Sequence, residues 1–69
     1  MEPTLNKYEV DKIARTVEGM RRQAAAFEDQ ASNPMTPLIL REALNTLAAN
    51  NRETAATLVD RLQAFRNAR

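Results

Sequence analysis

The feature that most constrains this chain is an apolar repeat that keeps its phase twice, on either side of a single proline-marked break. In the first half Val10, Ile13, Val17, Met20, Ala24, Phe27 and Ala31 recur at alternating steps of three and four. In the second half Leu44, Ala48, Asn51, Ala55, Leu58, Leu62 and Phe65 do the same. Such spacing puts each set on one stripe of an α-helix, in the a/d pattern of packed helices. Between them lies "SNPMTP", residues 32–37, which holds two of the chain's three prolines. Asn33 precedes Pro34 and is therefore pushed out of the helical region.

The local signals agree with two helix starts. Asn6 and Glu9 have the spacing of a capping box, with Leu5 and Val10 at the hydrophobic-staple positions around it. After the break, Thr36 is expected as N-cap, Pro37 at the first helical position, and Met35 with Leu40 as a second staple. Gly19 is the chain's one glycine. It falls outside the stripe, where it weakens a helix by about 1 kcal/mol relative to alanine without breaking it.

The stretch "LAANNRET", Leu47 to Thr54, poses the main ambiguity. Asn50 and Glu53 also have capping-box spacing, and a stop there would give three helices. The apolar steps nevertheless continue in phase through both asparagines, and the staple positions around Asn50 would be the poor pair Ala49 and Thr54. No glycine or proline assists a turn. A continuous helix from Pro37 would be roughly 48 Å long, against roughly 38 Å for the first, at 1.5 Å per residue. The expectation is a single all-α domain over residues 1–69: a helix over about 7–32, a turn at 33–36 and a helix over about 37–68, forming an antiparallel hairpin. A monomeric three-helix bundle with its break at Ala49–Asn51 is the alternative.

A hairpin of two helices leaves half of each stripe wet, and here the stripes are wide. Tyr8 and Ala14 flank the first helix; Leu40, Leu47 and Val59 flank the second, and Leu38 and Ile39 add apolar surface near the turn. Leaving one such leucine or valine exposed forgoes roughly 1.5–3 kcal/mol, a large fraction of a small domain's stability. With 69 residues and no cysteine, neither a large core nor a disulfide can compensate. The expected remedy is a homodimeric four-helix bundle of two hairpins. Its core would be Val10, Ile13, Val17, Met20, Phe27, Leu40, Leu44, Leu47, Asn51, Leu58, Leu62 and Phe65. Asn51 would pair with its symmetry mate to fix register, or else face solvent. The layout resembles that of Rop, the plasmid copy-control protein, a short two-helix hairpin that forms a four-helix dimer. That likeness is architectural, with no shared motif residues, so no function is carried over from it.

Chemistry has few residues to work with. There is no histidine and no cysteine, which removes the commonest general base and the commonest transition-metal ligands together. One glycine cannot make a phosphate-binding loop, and a di-metal carboxylate bundle requires Glu-x-x-His. Asp11 with Arg15 and Glu18 with Arg22 have the spacing of solvated i,i+4 ion pairs. The chain is therefore expected not to be an enzyme and to need no metal or cofactor.

Binding remains. Net charge is +1, without the basic excess usual in nucleic-acid binders. In a hairpin the open end gathers Lys7, Lys12, Arg61, Arg66 and Arg69, an arginine-rich end that suits the helix C-terminus or an acidic partner. The favoured expectation is a small regulatory or adaptor protein that binds a larger protein as a homodimer, with Tyr8, Leu38, Ile39, Phe65, Arg61, Arg66 and Arg69 as first contacts. The alternatives are an RNA- or DNA-binding helical dimer using its basic residues, or a self-assembling structural subunit. No apolar run approaches a membrane span. "MEPTLNKYEV" lacks the order of a signal peptide, so a cytoplasmic location without membrane contact is expected.

Overall fold

The computed structural model describes residues 6–67, with the side chains of 6–66. Two helices account for nearly all of them: α1, Lys7–Ala31, and α2, Leu38–Asn67. They pack on each other as an antiparallel hairpin with principal extents of 50 × 18 × 15 Å. The radius of gyration is 15.7 Å, well above the roughly 11 Å of a compact domain of this length.

α1 starts as its sequence dictates. The Asn6 side chain accepts from the Glu9 N–H at 2.8 Å, and the Glu9 carboxylate accepts in return from the Asn6 N–H. The expected staple cannot be described, because Leu5 lies outside the described residues. The helix ends at Ala31, one residue before the expected limit, with Ser32 as its C-cap. Pro34 explains the stop, since it bars Asn33 from helical geometry and offers no N–H of its own.

The connection corrects two expectations. The Thr36 N–H reaches the Asn33 carbonyl at 3.0 Å, closing a β-turn with Pro34 at its second position. The Asn33 side chain accepts from the Met35 N–H at 2.9 Å, so asparagine acts here as a turn former. Pro37, not Thr36, gives the carbonyl that accepts α2's first helical bond, from the Arg41 N–H. The Thr36 hydroxyl turns the other way and donates to the Gln30 carbonyl of α1 at 2.8 Å. With the helix start shifted by one residue, the Met35–Leu40 staple does not form, and Met35 is 86% exposed. Arg41 covers the connection from α2, its guanidinium directed at the Thr36 and Asn33 carbonyls.

α2 runs unbroken through Ala49, Asn50 and Asn51, so the three-helix alternative does not hold. In-phase apolar spacing outweighs the weak capping signal at Asn50. The buried residues are Val17, Ala24 and Ala31 on α1 with Leu44, Ala48, Ala55 and Leu62 on α2. More than half of this seam is alanine, whose small side chain lets helix backbones approach closely. Among the described residues no polar or charged residue is buried.

Candidate functional site

Sidedness is the property that the seam creates. Taking the buried residues as the direction of the neighbouring helix, positions three ahead or four behind lie about 50° to one side, at 3.6 residues per turn. On α1 these are Ile13, Met20 and Phe27; on α2 they are Leu44, Asn51, Leu58 and Phe65. Positions four ahead or three behind lie on the other side: Ala14, Arg21 and Glu28 on α1, with Asn45, Arg52, Val59 and Arg66 on α2. Two cross-helix contacts show which sides coincide. The Asn51 side-chain amide donates to the Gln23 carbonyl oxygen at 3.1 Å, joining the apolar sides into one face. The Arg52 guanidinium clamps the Glu28 carboxylate through Nε and Nη2, joining the charged sides into the other.

The two faces differ sharply. Beyond the inner rows, the apolar face continues with Thr16, Gln23 and Gln30 on α1 and with Leu40, Leu47 and Thr54 on α2. Between Met20 and the turn these rows hold no charged side chain. Glu9 and Arg61 stand only toward the open end. The opposite face carries Asp11, Glu18, Arg21, Glu28, Glu42, Arg52 and Arg66. The arginine beside Glu28 holds its carboxyl below the usual glutamate range, chiefly through the direct hydrogen bond, and Glu28 in turn raises Arg52. Glu18 and Arg22 form the expected i,i+4 pair. The other expected pair, Asp11 with Arg15, is not joined among the described residues: both side chains are exposed, and water competes well at such sites.

Burial in the isolated hairpin sorts the expected dimer core into three groups. Val17, Leu44 and Leu62 are already buried within one chain. Val10, Ile13, Met20, Phe27, Asn51, Leu58 and Phe65 are half-buried, with one flank facing outward. Leu40 and Leu47 are 50% and 48% exposed. The alanines that close the hairpin were visible in the repeat but carried no weight as contacts. Their division of labour with the larger residues is legible only once the two stripes are set against each other. Gln23, Glu28 and Arg41 had no sequence signal; their roles depend on the helix register and the turn.

The expected partner contacts do not form one patch. Leu38 and Ile39 are exposed at the turn end, next to Met35. Tyr8, also exposed, stands at the opposite end of the rod. Arg61 and Arg66 lie on the last turns of α2 at that same end, and Arg69 lies outside the described residues. One shallow, open depression lies along α1 beside Ala25, Ala26, Glu28, Asp29 and Ser32. Among the described residues no group of acidic side chains is placed to hold a metal ion, and no helix is long and apolar enough to cross a membrane.

Set against known protein families, curated proteins and solved structures, the chain matches none.

Proposed function

We propose that this chain is a non-enzymatic regulatory or adaptor protein that pairs with a second copy of itself and binds a larger protein. The observation that carries this reading is the apolar face, whose rows hold no charged side chain between Met20 and the turn. A solvated face of a small hairpin has no need to exclude charge over most of its length, whereas an interface does. Area supports the same view. The molecule exposes 5638 Å², about 1,200 Å² more than the roughly 4,400 Å² expected of a compact monomer of its mass. A standard interface covers about 800 Å² on each partner.

The larger partner is assigned to the tips, where Leu38 and Ile39 project from the first turn of α2. Phosphate binding has less support, because Arg22 and Arg52 are engaged by Glu18 and Glu28. Acidic side chains interleave the arginines as far as Asp60, and only the last turns of α2 carry arginine with no acid following.

Two measurements test the proposal. Sedimentation equilibrium from nanomolar to micromolar protein is expected to give twice the chain mass at the upper end. A monomer throughout removes the pairing. For the larger partner, intact protein and a Leu38→Asp, Ile39→Asp double variant are used as baits in parallel. The reading expects a protein retained by the first and lost by the second, with dimer mass unchanged. Identical retention by both would remove the tips as the docking site.

A further inference from the structure

The first turn of α2 breaks the sidedness that the rest of the helix keeps. Leu38, Ile39 and Leu40 follow one another at about 100° steps around the axis, and they are 66%, 83% and 50% exposed. Leu40 stands seven residues before Leu47, on the apolar face. Leu38 stands seven before Asn45 and fourteen before Arg52, on the charged face. Ile39 stands seven before Thr46 and fourteen before Glu53, on the side of α2 turned away from α1. Asn45, Thr46, Arg52 and Glu53 are all exposed, so two rows that carry polar residues at these levels become hydrocarbon in this one turn. A second copy lying on the apolar face can reach Leu40 at most. A helix turn that is apolar on every free side belongs inside something that surrounds it.

The connection is prepared to lose water in the same way. Ser32, Asn33 and Thr36 spend their N–H groups on the carbonyls of Glu28, Gln30 and Asn33, and the Met35 N–H goes to the Asn33 side chain. Pro34 and Pro37 have no N–H to lose. The Ser32 and Thr36 hydroxyls donate to the Asp29 and Gln30 carbonyls. Drying this end therefore strands no backbone donor of residues 32–37, which removes the usual cost of burying a turn. Only the N–H groups of Leu38, Ile39 and Leu40, which any helix start leaves open, remain for a partner's acceptors. Charge is absent as well. From Gln30 to Arg41 there is no acidic side chain, and the single base, Arg41, keeps its guanidinium directed at the Asn33 and Thr36 carbonyls.

From these observations we infer that the larger protein takes the turn end of the rod end-on, in an uncharged apolar pocket about one helix, or 10–12 Å, wide. The pocket surrounds the first turn of α2 and covers Met35 beside it. This inference rests on the docking at the tips proposed above and specifies the shape and chemistry of the site. A lipid surface fits less well. Stable anchoring on lipid takes a second signal such as a basic cluster, whereas here Arg41 is folded back and Asp29 and Glu42 flank the apolar end.

A photoreactive benzophenone residue in place of Leu38, Ile39 or Leu40, one at a time, tests the enclosure. Thr46, two turns further along the row of Ile39, is the control position, and circular dichroism checks the helicity of each variant. The variants are irradiated in an extract of the cells that make the protein, and the adducts are resolved by mass. The expected result is one foreign protein crosslinked from all three positions and not from Thr46. Its yield is expected to be unchanged in about 1 M salt, which screens charges beyond about 3 Å. A foreign adduct from fewer than three positions means a one-sided site and overturns the pocket, while docking at the tip stands. A yield that collapses in salt overturns it too, because the site is then charged. The purified protein is also mixed with phosphatidylcholine vesicles. Co-sedimentation that Ile39→Asp abolishes would place this end in lipid and overturn the pocket as well. No foreign adduct at any of the three positions removes docking at the tip together with the pocket.

Discussion

Asn51 donates its side-chain amide to the Gln23 carbonyl oxygen at 3.1 Å, tying α2 to α1 in the middle of a row otherwise made of leucine and phenylalanine. A leucine at this position would bury more hydrocarbon and lose a bond that is partly exposed to water. The polar residue is therefore a concession in stability, of the kind that fixes helix register. Asn51→Leu is expected to raise the stability of the protein by about 1 kcal/mol while broadening the species distribution of the proposed dimer. Urea denaturation and sedimentation velocity check the two halves of this statement. A variant that is more stable and still a single species would show that Asn51 has no part in register.

Glu28 and Arg52 give the hairpin a specific pH response. The guanidinium depresses the folded-state titration of the Glu28 carboxyl. Its contribution is therefore fully present above the ordinary glutamate range, and it is lost as pH falls through the depressed folded value. Both side chains are about half exposed, so the effect on stability is small. The clean readout is the carboxyl itself. In Arg52→Gln the Glu28 carbon resonance is expected to titrate at higher pH than in the parent protein. An unchanged midpoint would mean that the clamp does not persist in solution.

Much of this architecture is legible in the residues, and the failures have particular physical causes. Asn6 and Glu9 announce the first helix because a capping box is a local, reciprocal device. The unbroken α2 follows from apolar spacing that stays in phase from Leu44 to Phe65, a signal summed over many residues. The start of α2 is misread by one position because the same residue types serve both as caps and as turn formers. Thr36 could have capped α2, but its hydroxyl satisfies the Gln30 carbonyl at the end of α1 instead. The two faces are hidden for a different reason. A heptad pattern states which residues share a stripe, and not whether alanine or phenylalanine sits nearest the neighbouring helix. Burial in the folded hairpin fixes that rotation, and the contacts of Gln23 with Asn51 and of Glu28 with Arg52 show which sides of the two helices meet. No single-residue rule would have paired residues so far apart in the chain.

Gly19 is available for improvement. It lies within α1, away from the seam, and a Cβ built on it meets no atom within 4 Å beyond its own helix. Its backbone is not in the left-handed region either. Nothing in the hairpin needs glycine there, and the missing side chain leaves only the entropic penalty. Gly19→Ala is expected to stabilise the protein by 0.5 to about 1 kcal/mol, read as a higher urea midpoint at an unchanged slope. A loss of stability would place another surface against this position.

The alanine seam makes the strongest demand on side-chain size. Ala24 and Ala55 are each 0% exposed and belong to the buried stripes of the two facing helices, whereas Ala25 and Ala56, one residue further along, are exposed. Chemistry and helix propensity are nearly identical within each neighbouring pair, so any difference between them reports direction alone. Ala24→Leu adds three carbons where the helix backbones lie closest, and the helices must separate or the side chain must leave its rotamer well. A cost of about 1–3 kcal/mol is expected. Ala25→Leu, on the outer surface, is expected within about 0.5 kcal/mol of the parent. Thermal or urea denaturation of the two variants, with helicity followed by circular dichroism, gives the comparison. Equal tolerance at both positions would mean that the helices meet through another stripe, and the division into an apolar and a charged face would have to be redrawn.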